Sequence, residues 1–473
     1  MGRGIVDQLL FIPRGENFYL SGQSNHYPAG KSTFRTIKEN PMTKQHIDRT
    51  VDRRTFLQVS SVAAAAALSS VHGATAQESA APLKVGLIGC GGRGTGALRN
   101  ALLADEGTVC WALGDAFEDM ARECLKNIRK ERKVADRVKV EDSRIFTGLE
   151  AYKGVIESCD VVILATPPGF RPLHLTAVAE AGKHCFCEKP VAVDGPGIRT
   201  VLEACRIMKE KKANLVSGLC YRYEKKKQEA LRRIHEGAVG EITAVECVYN
   251  TSGLWHKGRK PEWSELDYQL RNWLYFDWLS GDHITEQHIH SLDKMLWIMG
   301  NKPPVKAWAS GGRTVRTDEK YGNIYDHFNT VFEWENGVKG FSSCRQWENA
   351  TTAVYDNAYG TTGVARVQEH IIQDRQGNVT WTWDSPEPDD MYQNELDALF
   401  AAIRSGQHID NSQYMIDSNI MAIMGRAAAY SGQVVTYQQV LESEVALFPS
   451  LDDLKAGRVP IRPVPVPGKG QYI

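Results

Sequence analysis

The chain has 473 residues, 42% of them hydrophobic and 24% charged, and its 56 Lys+Arg against 57 Asp+Glu give a net charge of −1. These proportions exclude a disordered chain, a collagen-like repeat and a disulfide-dense miniprotein, and the charge balance speaks against a nucleic-acid or polybasic membrane binder. The length accommodates two or three domains with a core each.

Residues 1–41 are polar and show no apolar period. From Met42 the text changes: Lys44 and Arg49 lead to Arg53-Arg54-Thr55-Phe56-Leu57, an apolar Ala-rich stretch runs from Val59 to Val71, and Ala74-Thr75-Ala76 follows. Basic region, apolar region and small-residue cleavage site are the layout of an export signal. The apolar run is too short to span a bilayer as a mature helix. The Arg-Arg-Thr-Phe-Leu run resembles the twin-arginine signal, which sends folded proteins across the inner membrane. The expectation is a non-native or disordered extension at 1–41 with Met42 as initiator, a signal peptide at 42–76, and a periplasmic mature chain that begins near Gln77 and keeps no membrane span. The ten cysteines include no C-x-x-C pair, which argues against a zinc ribbon or a thioredoxin-like site. Buried free thiols are the default, and they suit folding in a reducing cytoplasm before export.

Lys84 to Ile88 is a short apolar run that predicts a buried strand, and Gly89-Cys90-Gly91-Gly92-Arg93-Gly94 follows at once, ahead of a helical run from Gly96 to Ala104. This is G-x-G-x-x-G between strand and helix. Gly89 permits the tight turn, Gly91 lets backbone approach a pyrophosphate, and Gly94 lets helix pack on strand. The helix N-terminus then offers free N–H groups to the phosphates. A second strand, Thr108 to Leu113, ends at Gly114-Asp115, where an acidic residue bonds the adenine-ribose 2′-OH. A carboxylate there repels a 2′-phosphate and favours NAD; Arg93, inside the loop, keeps NADP open. Asp160 to Ala165 predicts another strand, stopped at Pro167-Pro168, with a helix from Arg171 to Ala181 and a further strand running into Cys187-Glu188-Lys189-Pro190. Strand–helix alternation predicts a doubly wound parallel sheet over 84–220. Ligands sit at the carboxyl ends of such strands, which adds Thr166, Pro167, Glu188 and Lys189 to the cofactor candidates Gly89, Gly91, Gly92, Arg93, Gly94 and Asp115.

A strand is expected from Val216 to Cys220, with Arg222 and Tyr223 after it at the domain junction. Beyond residue 241 the pattern turns to β-rich alternation: Ile242 to Tyr249, Thr330 to Trp334, Val338 to Cys344. Asn336-Gly337 is a strong hairpin signal, and Gln376-Gly377-Asn378 is a similar one. An open, mainly antiparallel sheet with helices is expected over 221–445. One helix interrupts it, His283 to Met299. On it Ile289, Leu292, Met295, Leu296 and Met299 share one arc, while His283, Glu286, His290 and Asp293 share the opposite one and His288 stands apart. Surface helices usually carry Lys and Glu, so this row points to a site. Its spacing also permits zinc, but H-E-x-x-H is absent and nicotinamide chemistry of this kind needs no metal. Tyr325-Asp326-His327 and Arg345 flank the hairpin. The substrate candidates are therefore Arg222, Tyr223, His283, Asp293, His327 and Arg345. Trp255, Trp263, Trp273 and Trp278 are either core residues or sugar platforms. Residues 446–473, with Pro460, Pro463, Pro465 and Pro467, are expected to form an extended tail that wraps a neighbouring subunit.

Glu188-Lys189-Pro190 after Ala181-Gly182-Lys183-His184, with the glycine fingerprint upstream, resembles the Gfo/Idh/MocA oxidoreductases, a family that includes glucose–fructose oxidoreductase and inositol dehydrogenase. The resemblance spans roughly residues 84 to 445. In the family, a helix carries Asp-x-x-x-His-x-x-Asp before a Gly; here the run is Glu286 to Asp293, with Glu in place of the first Asp. The resemblance implies His290 as acid/base, Lys189 as the lysine that stabilises alkoxide and Glu286 as a carboxylate that orients His290 or holds a neighbouring hydroxyl. It further implies a homo-oligomer, dimer or tetramer, and a sugar or polyol substrate. An exported dehydrogenase must carry its NAD with it and regenerate it in place, so the cofactor is expected to be tightly bound. Two alternatives stand beside the dehydrogenase: an NAD-retaining glycosidase or lyase acting through transient oxidation, and a non-catalytic nucleotide-holding sugar binder.

Overall fold

A computed structural model describes residues 81–473, so the extension and the signal segment lie outside the described residues. The described residues belong to one compact unit. Its first sheet has six parallel strands in the order β3-β2-β1-β4-β5-β6: β1 Leu83–Ile88, β2 Thr108–Asp115, β3 Ile145–Thr147, β4 Val161–Leu164, β5 His184–Cys187 and β6 Leu215–Ser217. All four residues of β4 are buried, the continuous apolar run expected of a strand covered on both faces. The helix after β1, α1, spans Gly92–Ala104 and so starts inside the glycine run. The helix after β2, α2, is Glu118–Ile128. The expected strand at Val216 to Cys220 stops early: Cys220–Tyr223 form a 3-10 turn.

The second sheet has nine strands in the order β14-β13-β12-β11-β7-β10-β9-β8-β15. They are β7 Ile242–Thr251, β8 Lys306–Gly312, β9 His327–Glu333, β10 Lys339–Gln346, β11 Ala353–Gly360, β12 Gly363–Arg366, β13 Ile371–Asp374, β14 Val379–Thr382 and β15 Val435–Thr436. Only β7 and β10 pair in parallel. Both turn signals hold: Gly337, at φ +84°, joins β9 to β10, and Gly377, at φ +86°, joins β13 to β14. Side chains alternate as a half-covered sheet requires. Ser342 and Cys344 of β10 are buried, Ser342 under His288 and Cys344 under His283, whereas Phe341 is 49% exposed on the other face.

The segment around His290 departs from the expected single helix. It consists of α4, His283–Glu286, and α5, Ile289–Ile298, after the earlier α3, Glu265–Arg271. The N–H groups of Gln287 and His288 both bond the carbonyl of His283. That widened turn lets the His288 ring drop into the core onto Ser342, at 2.7 Å, and it breaks the expected polar row.

Two later helices return to the first sheet. In α6, Met391–Ser405, Leu396, Leu399 and Phe400 join the core of Val85, Leu87 and Leu98. The helix α7, Ser412–Ser431, is buried over most of its length; its Asn419 bonds the backbone of Val191 and Ala192, and its Arg426 bonds the carbonyls of Gly281 and Val193. The C-terminal tail packs on its own chain. Phe448 meets Phe170 at 4.8 Å, the Tyr325 hydroxyl bonds the Pro465 carbonyl, and Leu451–Lys455 form a short helix instead of extended chain. All ten cysteines are buried free thiols. No helix of the described residues is long and apolar enough to cross a membrane.

Candidate active site

A cleft of about 430 Å³ opens at the carboxyl ends of β1, β2 and β4. Gly89, Gly91, Gly92, Arg93, Gly94, Asp115, Thr166 and Pro167 all line it, as expected from the sequence. Gly89 stands at φ +96°, and a Cβ there would lie 2.6 Å from the Ala165 backbone. A Cβ on Gly94 would come within 2.0 Å of the Gly89 carbonyl oxygen. Nothing lies within 4 Å of a Cβ on Gly91 or Gly92, so backbone there faces open space. Gly91 caps α1 without any side-chain bond to the helix N-terminus, whose N–H groups are left for a ligand. Asp115 accepts from the N–H groups of Cys90 and Phe117, at 2.7 and 3.0 Å. Burial raises its carboxyl above the usual value, and those two bonds pull it back. These are the parts a dinucleotide needs: a glycine cradle, an uncapped helix start and an acidic residue after β2.

Arg93 does not offer a site for a 2′-phosphate. Its guanidinium is held by Glu188 and, at 2.6 Å, by Glu395 of α6. Glu188 is correspondingly turned to Arg93 and buried, and does not line the cleft. The bias between NAD and NADP thus rests on Asp115, and it favours NAD.

Arg171, buried, donates to the carbonyls of Thr166 and Pro190 and so ties together the loops after β4 and β5. This positions Lys189, whose Nζ donates to the Glu286 carbonyl at 2.5 Å and to Glu286 Oε1 at 3.1 Å. The pair is largely sealed, with 14% and 17% side-chain exposure. His290 stands one turn beyond Glu286, with Tyr221 edge-on to its ring at 5.4 Å and its Nδ1 buried without a partner. Burial holds its pKa well below the ordinary histidine value, and the charges of Lys189, Lys294 and Arg93 add to this. The imidazole is therefore neutral at physiological pH. Lys189, Glu286 and His290, from opposite halves of the chain, are brought to one place.

The six substrate candidates are not brought there. Arg222 and Asp293 are bound to each other: Nε and Nη2 of Arg222 reach the carboxylate at 2.7–3.1 Å. Arg222 is also sandwiched between Trp297 and Tyr414. His283 is fully buried, with Asp282 at 3.1 Å on Nδ1 and Cys344 at 3.5 Å on Nε2. The Tyr223 hydroxyl bonds Asn411 within the first sheet's surroundings. His327 and Arg345 are register partners on β9 and β10, on the sheet face away from α4 and α5; His327 bonds Asp326, and Arg345 bonds the Thr351 carbonyl. Strand alternation, which the hairpin signal alone does not phase, put these two on the wrong face.

Sequence reasoning missed other residues. Tyr221 lies one position before the pair that it singled out, in the 3-10 turn whose first residue, Cys220, was expected to end a strand. Lys294, on the same face of α5 as His290, is fully buried, with Asp356 as its ion partner and its Nζ 4.2 Å above the Tyr221 ring. Trp255 and Trp273 line the cleft beside Lys257, Leu270 and Arg271, while Trp278 is core.

Residues 83–218 match the family described as oxidoreductase family, NAD-binding Rossmann fold, and residues 228–366 match the GFO/IDH/MocA C-terminal domain. The chain is 28% identical over 178 residues to 2,7-anhydro-N-acetylneuraminate hydratase of Escherichia coli, covering 38% of this chain and 43% of that one. It is 25% identical over 265 residues to inositol 2-dehydrogenase of Rhizobium meliloti, covering 53% and 72%, and 26% identical over 242 residues to a glycosyl hydrolase family 109 protein of Shewanella amazonensis, covering 47% and 50%. The chain thus spans less than half the length of the first of these curated relatives, at 43%, and half of the third, at 50%. Aldose-aldose oxidoreductase of Caulobacter crescentus, solved with glycerol, shares the fold at a TM-score of 0.57 and 19% identity, over 75% of this chain and 99% of that one.

Proposed function

This chain belongs to the Gfo/Idh/MocA oxidoreductase family, and on that premise we propose that it moves hydride between a secondary alcohol of a sugar or polyol and NAD. The observation that carries the reading is the meeting of Lys189, on a loop that Arg171 ties to Thr166 of the glycine-lined cleft, with Glu286, His290 standing one turn on. NAD bound in the cleft supplies a hydride acceptor. The substrate C–H bond gives up its electron pair as hydride, and the hydroxyl proton leaves to the neutral imidazole of His290. The Lys189 ammonium hydrogen-bonds the same oxygen and stabilises negative charge as it develops. Glu286 fixes that ammonium through its carbonyl and its carboxylate. Positioned proton transfer of this kind contributes ~10²–10⁴-fold. The test is a panel of sugars and polyols watched at the nicotinamide absorbance. His290→Ala and Lys189→Ala should each abolish cofactor reduction; an unchanged rate in both removes these residues from the chemistry, and no reduction by any member of the panel in wild type leaves only the sugar-binding reading.

A redox-neutral reaction uses the same residues, with hydride returned to the product after an elimination. The similarity to a hydratase and to a family 109 hydrolase favours keeping it as the second reading. Product formation without accumulation of reduced cofactor separates it from net oxidation.

We further place the protein in the periplasm, on the Arg53-Arg54-Thr55-Phe56-Leu57 run and the apolar segment after it. Ten buried free thiols suit folding before export. The proposal extends to a homo-oligomer through the open sheet face, where Trp308 and Phe341 are 36% and 49% exposed. Edman or mass analysis of exported protein and its solution mass test the two.

A further inference from the structure

The outer wall of the cleft is built by the second half of the chain, from the segment between β7 and α3, from the last turn of α3 and from the turn after it. Trp255, Leu270, Arg271 and Trp273 face Phe117, which precedes α2, and Met120 of α2 across the end where Asp115 stands. That is where the adenosine of a dinucleotide lies.

This wall is held in shape from behind. The buried Tyr275 hydroxyl bonds the carbonyls of Leu254 and Trp255, at 3.1 and 2.9 Å. Asn272, also fully buried, bonds both the N–H and the carbonyl of Lys257, at 2.8 and 3.0 Å. The wall therefore presents a fixed surface and not a loose loop. It is also fastened across the cleft. Arg271 makes a two-pronged ion pair with Asp119 in the first turn of α2, both bonds at 2.9 Å, and its guanidinium lies 3.8 Å over the Phe117 ring. The pair holds Asp119 below the usual carboxylate range. An apolar cluster of Leu270 and Trp273 with Phe117 and Leu149 continues the contact, and Phe448 and Leu451 of the tail join it.

We propose that this wall, latched by Arg271 to Asp119, closes the adenosine end of the cleft and retains the dinucleotide between turnovers. The inference deepens the proposed function, since it rests on the cleft holding NAD, but it concerns release of the cofactor and not the chemistry at His290. A dinucleotide seated on the glycine loop can leave only when the latch opens. Opening costs the bidentate pair and the guanidinium–ring contact, each modest singly.

The experiment follows the purified full chain through gel filtration and dilution, reading bound NAD(H) by absorbance and nicotinamide fluorescence. Wild type should stay loaded. Arg271→Met, which loses both contacts, should release cofactor roughly tenfold faster, and Asp119→Asn, which keeps the guanidinium–ring contact, roughly threefold faster. The exchanged pair Arg271→Asp with Asp119→Arg should recover most of the retention. Asp119→Asn leaves the apolar cluster intact, so it reports on the latch even if Arg271→Met unfolds. Release from the variants as slow as from wild type overturns the proposal, as does a wild type that releases as fast as the variants. Failure of the dehydrogenase reading looks different: retained cofactor that no sugar or polyol reduces.

Discussion

At the scale of single residues, the environment of His290 sets a pH behaviour. Its imidazole is pressed between burial and three cations, so protonation in the folded protein lies well below the usual value near 6.5. A general base must be unprotonated to act. The rate of alcohol oxidation should therefore stay level as pH falls from 8 to 6 instead of dropping through an apparent pKa near 6.5. A pH–kcat profile checks this, and an acid limb at or above 6.5 contradicts it. Arg222 and Asp293 lead to the opposite kind of expectation. As substrate ligands they would affect KM; as a buried pair with 7% and 1% side-chain exposure, they affect stability. Asp293→Ala leaves a buried guanidinium unpaired and should cost about 3–5 kcal/mol, seen in urea unfolding, and Ser418 loses its bond to the same carboxylate. A normal urea midpoint with a raised KM would restore the substrate role. The two cases show what was legible in the sequence. Lys189 and His290 stand in the short runs, Glu188-Lys189-Pro190 and Glu286 to Asp293, that carry the family resemblance, and the resemblance singled them out. Asp293 stood in the same polar row, but its meaning depends on a partner 71 positions away, and a row of side chains does not reveal which members are already satisfied.

At the scale of elements, periodicity revealed where strands and helices lie but not their phase. The helical row from His283 to Asp293 assumed one unbroken helix; the widened turn at Gln287–His288 rotates His283 into the core and leaves Glu286 and His290 together. His327 and Arg345 failed for the period-2 reason, since a hairpin signal fixes pairing and not which face is covered. The glycine loop was legible because each of its glycines answers a distinct steric demand, and those demands differ enough to be separated by mutation. Gly94→Ala forces a Cβ to within 2.0 Å of the Gly89 carbonyl oxygen and should lower Tm with or without cofactor. Gly91→Ala meets nothing within 4 Å, so it should leave the cofactor-free Tm unchanged. What it should lose is NAD affinity, because the new methyl projects where backbone must approach phosphate. Melting curves of both variants, with and without NAD, check the contrast; equal losses in the two would show that the loop is held by packing alone.

At the scale of the whole molecule, the two halves do not fold around separate cores. The helix α6 returns to the first sheet, α7 bonds loops of both halves, and the tail ends against Tyr325 and Tyr430. Sequence order suggested a clean boundary near 220, because a chain that crosses back leaves no mark in local composition. Such interlocking buries histidines that a looser arrangement would leave wet, and this has a consequence for acid stability. Burial lowers His174 and His288 to about 3, neighbouring charges adding to the effect, and burial together with Lys227 lowers His370 to about 4. Each is neutral in the folded chain at a pH where the unfolded chain, with a pKa near 6.5, takes up a proton. The unfolded state then binds more protons, so stability declines as pH falls below 6.5 and continues to decline until the folded value is reached. A single such histidine contributes about 1.4 kcal/mol per pH unit across that window. Carboxyls raised by burial, Glu395, Asp277 and Asp115, act in the opposite sense, so the net slope is a sum over both kinds. One histidine is isolated by substitution. His288 is fully buried and bonds Ser342 through Nε2, a bond that a glutamine amide can replace. His288→Gln should therefore show a shallower loss of unfolding free energy between pH 6.5 and 5.5 than wild type, by about 1 kcal/mol in urea titrations at the two pH values. Parallel slopes in the two proteins would mean that His288 takes up its proton in the folded state, and that the core around Ser342 admits water.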